Sequence, residues 1–306
     1  ASKMDTVPLG NEKAGSARFY QKGAWVLDML KNELGKENFD RVIRNYLKQY
    51  AFGLVATDSL NASIEDVTSR NFKEFFEYWV YTAGEPKFEI EAEEAGKGYK
   101  LIARPVYMPF KEISIPVEVV YSSRKESKKI WKQLRVKDVG ESSLSIEGSH
   151  EGLKLQYWKV NPNMEVLIEV DETKPFAKLL LQYKSSSLLL DRFAAVSMAN
   201  KVSLKEKEDW LITVMEDKEE FFSIRAEALK QLVQATCPKS EELLLLALRS
   251  EDVQLQKEAI ALVESPGGEL LNEVEKLRRG NSYELRELAM HKSIAAGEYD
   301  WLTDDF

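Results

Sequence analysis

The sequence predicts an α+β multidomain protein made of three consecutive segments. Three observations carry that prediction: apolar residues recur at helical spacing up to Gly84, they alternate with period 2 after Pro86, and helical spacing returns at Thr173 together with an internal repeat. The resulting boundaries are 1–86, 87–172 and 173–306. A chain of 306 residues exceeds the ~250 at which single hydrophobic cores stop growing, so more than one core is expected.

In the first segment, Trp25, Val26, Met29, Leu30 and Leu34 form one stripe, and Gly35 follows where a helix end favours glycine. A second stripe runs through Phe39, Val42, Ile43, Tyr46, Leu47 and Tyr50. Thr57 or Asp58 is placed to cap a third helix carrying Leu60, Ile64 and Val67. Asn71 with Glu74 three residues on has the form of a capping box, opening a fourth helix with Phe72, Phe75, Phe76 and Trp79 that is expected to stop at Gly84 before Pro86. Four helices with such wide aromatic faces need cover, so this segment alone reads as half of a core.

Between 87 and 172 seven short alternating or β-branched runs, from FEIEAE to EVLIEVD, are separated by Gly96, Gly98, Gly140, Gly148 and the turn Asn161 to Asn163. They predict a small antiparallel β-sandwich. After Thr173, four segments align on an Arg/Gln-x-x-Ala core: Arg192 with Ala195, Arg225 with Ala228, Gln256 with Ala259, and Arg286 with Ala289. The register advances by 33, 31 and 30 residues. A period of that size with one small residue at a fixed offset predicts stacked helical hairpins resembling HEAT-type units.

Composition narrows the function classes. Lys and Arg total 43 against 51 Asp and Glu, a net charge of −8, which disfavours a nucleic-acid partner. No apolar run approaches the ~20 residues of a membrane span. The lone Cys237 rules out an intrachain disulfide and fits a cytoplasmic setting slightly better than a periplasmic one. The opening ASKMDTVPLG has neither a secretory pattern nor an initiator Met, so the chain is expected to begin inside a longer protein. His150 and His291 are the two histidines, in different segments; HEGLK at 150–154 has Lys154 where a zinc-chelating helix needs its second His, and reads as an exposed turn. His291 reads as packing or surface on a repeat helix. AGKGYK is a hairpin turn, and Cys237, beside Pro238 with no nearby His, is no nucleophile. Tyr20 is the remaining candidate; by composition alone it is an aromatic at a helix start.

The stretch YQKGAWVLDMLKNELGKENFDRVIRNYLKQYAFGLVATDSL, followed by NFKEFFEYWVYTAGEP, resembles the second half of the catalytic domain of the M1 family of zinc aminopeptidases, where a Tyr-x-Lys-Gly-Ala segment opens a helix of the thermolysin-like fold. Gln21 and Asp28 vary at tolerant places. The strands closing on VNPNMEVLIEVD and the Arg-Ala repeats follow that family's domain order, closest to bacterial members with HEAT-like C-terminal domains. The resemblance implies the helical half of a thermolysin-like catalytic domain, a β-sandwich and an α-α superhelix. It implies removal of N-terminal residues from peptides, with Tyr20 donating a hydrogen bond to the oxyanion of the tetrahedral intermediate.

The resemblance also implies what should lie upstream: a Gly-x-Met-Glu-Asn segment for the substrate's amine, a His-Glu-x-x-His helix and a distal Glu, which hold and use zinc. Only 19 residues precede Tyr20, so this chain is expected to be a C-terminal part, binding no zinc and inactive by itself. Its expected partners are the N-terminal catalytic portion, or a second copy through exposed helices 20–84. Two other readings stand beside this one: a non-catalytic helical-repeat scaffold for protein contacts, and one half of a split peptidase. Burial of Trp25, Phe75, Phe76 and Trp79 within the chain would favour the scaffold; a large exposed apolar patch would favour the torn or split domain.

Overall fold

The computed structural model describes residues 7–11, 18–264 and 266–297. The opening decapeptide is described only from residue 7, and the tail after Gly297 lies outside the described residues. The chain divides into two compact units after Thr173.

In the first unit a π-helical turn, Arg18–Lys22, leads into α1 (Gly23–Leu34), followed by α2 (Lys36–Gln49), α3 (Thr57–Thr68) and α4 (Lys73–Trp79). Gly35, at φ 76°, separates α1 from α2 in a conformation that a side chain disfavours. Leu30, Leu34, Val42, Ile64, Phe72 and Phe76 form the core shared by these helices. Two local expectations are corrected by polar partners. The residue before α3 is Ala56, whose N–H donates to the Ser59 hydroxyl at 3.3 Å, so neither Thr57 nor Asp58 is the cap. At α4, Asn71 Oδ1 accepts from the Lys73 N–H at 2.8 Å while its amide donates to Glu65, and Phe72 takes the cap position in place of an Asn71–Glu74 box.

The fourth helix also ends earlier than its pattern suggests, at Trp79 rather than Gly84. The reason is tertiary: the Val80 carbonyl accepts the Gly10 N–H at 2.8 Å, and the Ala83 carbonyl accepts the Tyr107 hydroxyl at 2.8 Å. Paired with distant donors, these carbonyls stay satisfied where the chain leaves the helix.

Eight strands follow: β1 (Lys87–Ala95), β2 (Gly98–Tyr107), β3 (Glu112–Ser122), β4 (Ser127–Lys137), β5 (Ser142–Ile146), β6 (Ser149–His150), β7 (Leu153–Val160) and β8 (Glu169–Thr173). They form two four-stranded sheets, ordered β5-β2-β1-β8 and β4-β3-β7-β6. Inward residues of both share one core, with Phe88, Ile90 and Leu101 from the first sheet and Ile115, Val117, Leu134 and Trp158 from the second. The β1–β2 connection is the expected hairpin, Gly96 lying at φ 61°. Gly98 is required by close approach, since a Cβ there would lie 2.0 Å from the Ile146 carbonyl oxygen.

The pairing is not wholly antiparallel, because β8 runs parallel to β1 from Lys87↔Glu169 to Glu91↔Thr173. The run beginning at Glu165 joins the sheet only at Glu169. Asn161 holds Val166 through both its amide atoms, accepting from the N–H at 3.1 Å and donating to the carbonyl at 2.8 Å. Val166 and Leu167 then pack with Leu9, Val26, Met29, Trp79 and Phe110, the cluster that joins helices to strands within this unit.

The second unit holds α5 (Phe176–Ser185), α6 (Leu189–Met198), α7 (Leu204–Glu216), α8 (Phe222–Gln234), α9 (Ser240–Leu248), α10 (Val253–Leu262), α11 (Gly268–Arg278) and α12 (Tyr283–Ala295). Consecutive helices pair as hairpins, and α6, α8, α10 and α12 pack in sequence against one another. The four repeat alanines, Ala195, Ala228, Ala259 and Ala289, fall on these four helices and are fully buried. Small residues at the same turn let neighbouring helices approach closely. Among the described residues no helix is long and apolar enough to cross a membrane.

Candidate active site

Tyr20 lies in the π turn that precedes α1. Such turns widen the helix by an i→i+5 pairing and recur at functional positions. The inward side of α1 is spent on packing: Val26 and Met29 join the cluster containing Trp79 and Phe110, Leu30 and Leu34 join the helical core, and Trp25 donates its indole N–H to the Met164 carbonyl at 2.9 Å. Tyr20 precedes the exposed Ala24 and Leu27 at i+4 and i+7, which places it on the outward side. It is 72% exposed and meets the edge of the exposed Phe19 ring at a centroid distance of 5.6 Å. Among the described residues its hydroxyl makes no hydrogen bond. A neutral phenol O–H presented this way can donate to an oxygen of another molecule.

The other sequence candidates resolve into structural roles. His150 closes the short β6–β7 hairpin opposite Leu153, with Glu151 and Gly152 at positive φ in the turn. Its Nε2 lies 3.7 Å from Glu151 Oε1 and its ring 5.5 Å from Tyr121. Tyr121 is a core tyrosine: burial, aided by the charge of Glu147, pushes its phenol up to about 12, and its hydroxyl donates to the Glu147 carbonyl at 3.0 Å. His291 is exposed on α12 in the second unit. Cys237 is buried and donates its thiol to Glu208 Oε1 at 3.1 Å; burial and that bond raise its pKa, which keeps it a thiol.

Among the described residues no group of three or more His, Cys, Asp and Glu side chains converges in a way that could hold a metal ion. The structure brings no second sequence candidate to Tyr20. In the first unit the described residues also enclose a cavity of about 570 Å³ that sequence reading missed, between α1, α4 and strands β3 and β4, which Tyr20 does not line.

Comparison with known proteins places the Tyr20 segment. Residues 11–79 match the model of the peptidase family M1 domain. Over 72 residues the chain is 33% identical to aminopeptidase M1-C of Oryza sativa subsp. japonica, covering 24% of this chain and 8% of that protein. Over 133 residues it is 25% identical to the tricorn protease-interacting factor F2 of Thermoplasma acidophilum, covering 42% of this chain and 17% of that protein. The chain thus spans well under a fifth of the curated relatives it matches. The crystal structure of Legionella pneumophila aminopeptidase A in complex with aspartic acid superposes with a TM-score of 0.67 at 15% identity, covering 99% of this chain and 43% of that one, a likeness of fold. Residues 11–79 of this chain are thus similar to the peptidase family M1 domain.

Proposed function

We propose that this chain is the C-terminal part of an M1-like zinc metallo-aminopeptidase that hydrolyses N-terminal residues from peptides. Residues 1–86 are the last helices of the catalytic domain, 87–172 a β-sandwich, and 173–306 a HEAT-like superhelix. The observation that carries the reading is Tyr20, an exposed phenol at the head of the family-matching segment, within Tyr-x-Lys-Gly-Ala. Amide hydrolysis builds negative charge on the scissile carbonyl oxygen, and a donor aimed at that oxygen favours the transition state over the ground state. Removing one such donor typically lowers kcat by roughly 10²–10³-fold. Zinc supplies Lewis-acid chemistry when bound, and its ligands would come from outside this chain. The chain alone is expected to bind no stoichiometric zinc and to leave amino-acyl anilides intact.

A second reading, a helical-repeat scaffold, draws support from the burial of Phe76 and Trp79 and the half-burial of Trp25 and Phe75 within the unit. Against it, Phe52 and Leu54 are fully exposed and Leu47 and Val55 remain open, an apolar surface suited to cover by further catalytic-domain helices. Sequencing the coding DNA upstream of Ala1 tests the choice. An open frame carrying Gly-x-Met-Glu-Asn and His-Glu-x-x-His is expected, and in its product Tyr20→Phe should lower kcat by roughly 10²-fold with little change in zinc content. A start codon just upstream of Ala1, or full activity in the Phe variant, would overturn the proposal.

A further inference from the structure

The cavity between helices and strands has a chemical character of its own. Its volume, about 570 Å³, is that of a small-ligand pocket. Four aromatic rings line it: Phe75, Tyr78 and Trp79 from α4 and its end, and Phe110 from the β2–β3 connection. Phe110 meets Tyr78 at 5.0 Å and Trp79 at 5.3 Å, so the four rings form one aromatic cluster at the cavity. Four carboxylates also line the cavity, Glu33, Glu74, Glu112 and Glu165, and among the described residues no Lys, Arg or His does.

The carboxylates differ in their engagement. Glu33 lies 4.0 Å from the guanidinium of Arg70, and Glu165 accepts from the Asn163 amide at 2.9 Å. Glu74 and Glu112 are exposed and, among the described residues, their side chains make no hydrogen bond or ion pair. They come from different elements, one on α4 and one at the start of β3. A cation entering the cavity meets aromatic rings and carboxylates, whereas an anion meets like charge from α1, α4, β3 and Glu165.

We propose that this cavity is a receptor for an organic cation, an alkylammonium or guanidinium group on an apolar stem. The stem lies against Phe75, Tyr78 and Phe110, and the charged head is held by Glu74 and Glu112. Two sources carry that chemistry, a free polyamine and a Lys or Arg side chain on a peptide. The site is separate from Tyr20, so it stands or falls independently of the proposed hydrolysis.

Calorimetric titration of the full chain with spermidine and with an N-acetylated, C-amidated arginyl tripeptide tests it; the acetyl group removes the α-amine. Saturable binding of at least one probe is expected. It should weaken about tenfold or more in the E74Q/E112Q double variant, which alters only exposed positions and should leave the thermal melt unchanged. A tripeptide with citrulline replacing arginine should not bind. Spermidine alone binding would identify a free polyamine as the ligand, and the peptide alone a basic side chain. No saturable binding of either probe, equal binding by the double variant, or equal binding of the citrulline peptide would overturn the proposal.

Discussion

Glu220 shows how much one buried side chain organises in the second unit. Its carboxylate accepts two hydrogen bonds from Arg192, both at 3.0 Å, one from the Tyr183 hydroxyl at 2.8 Å and one from the Phe221 N–H at 2.7 Å. Burial pushes its pKa up, but the bonds from Arg192, the Phe221 N–H and Tyr183 outweigh it and hold the carboxyl below its ordinary 4.5. The same burial and pairing raise the Tyr183 phenol well above its usual range. For a carboxyl whose folded pKa is depressed, the native state binds fewer protons than the unfolded state. The stabilisation is therefore complete above about 4.5 and is lost as pH falls through the lower, folded value. Glu220→Gln should cost about 1.5–3 kcal/mol at neutral pH, the size of a charged hydrogen bond, and should flatten part of the acid limb in urea unfolding followed by circular dichroism. Tyr20 behaves oppositely: its ring is 72% exposed and, among the described residues, its hydroxyl makes no hydrogen bond, so Tyr20→Phe should leave the melting temperature of the chain unchanged within about half a kcal/mol equivalent.

Among the elements, the repeat helices explain their own signature. In three of the four repeats the long side chain that precedes the buried alanine reaches back to the hairpin it belongs to. Arg225 donates to the Met215 carbonyl at 2.9 Å at the end of α7, Gln256 to the Leu248 carbonyl at 2.9 Å at the end of α9, and Arg192 to the Ser187 carbonyl at 3.2 Å just after α5. Helix ends and the turns beyond them leave carbonyls unpaired, and here a side chain one hairpin arm away satisfies them. Gln256→Ala should destabilise by about 1 kcal/mol through that lost bond, whereas Ala259→Leu, one turn on, should cost about 1–3 kcal/mol by overpacking, both read from chemical denaturation. This device was legible in the sequence as spacing, because it is built from local geometry. What was not legible depends on residues far apart in the chain: the early end of α4, set by Gly10 and Tyr107; the late start of β8, set by Asn161; and its parallel pairing with β1. The site divides the same way. Tyr20 could be found through a contiguous motif, although periodicity assigns it no role. The aromatic, acidic cavity draws on α1, α4, β3 and β4, and no single stretch of sequence announces it.

At the level of the whole molecule, the two units have separate cores. One buried cluster of the second unit runs from Val196 to Ala289 and contains no residue of the first. Differential scanning calorimetry should accordingly resolve two transitions, and Ala228→Leu should lower only the one belonging to residues after Thr173. A single transition that moves as a whole would show that the units unfold as one cooperative body. The exposure of Tyr20 has a practical consequence at this scale. Phenol rings open to solvent react readily with nitrating reagents, and Tyr20 at 72% and Tyr283 at 80% are similarly open, one in each unit. Tyr283 therefore serves as an internal standard for Tyr20. In this chain the two rings should nitrate at comparable rates; in any longer chain or complex that seats peptide or protein over the π turn, the ratio should fall at Tyr20 alone, making it a built-in gauge of when that turn is covered.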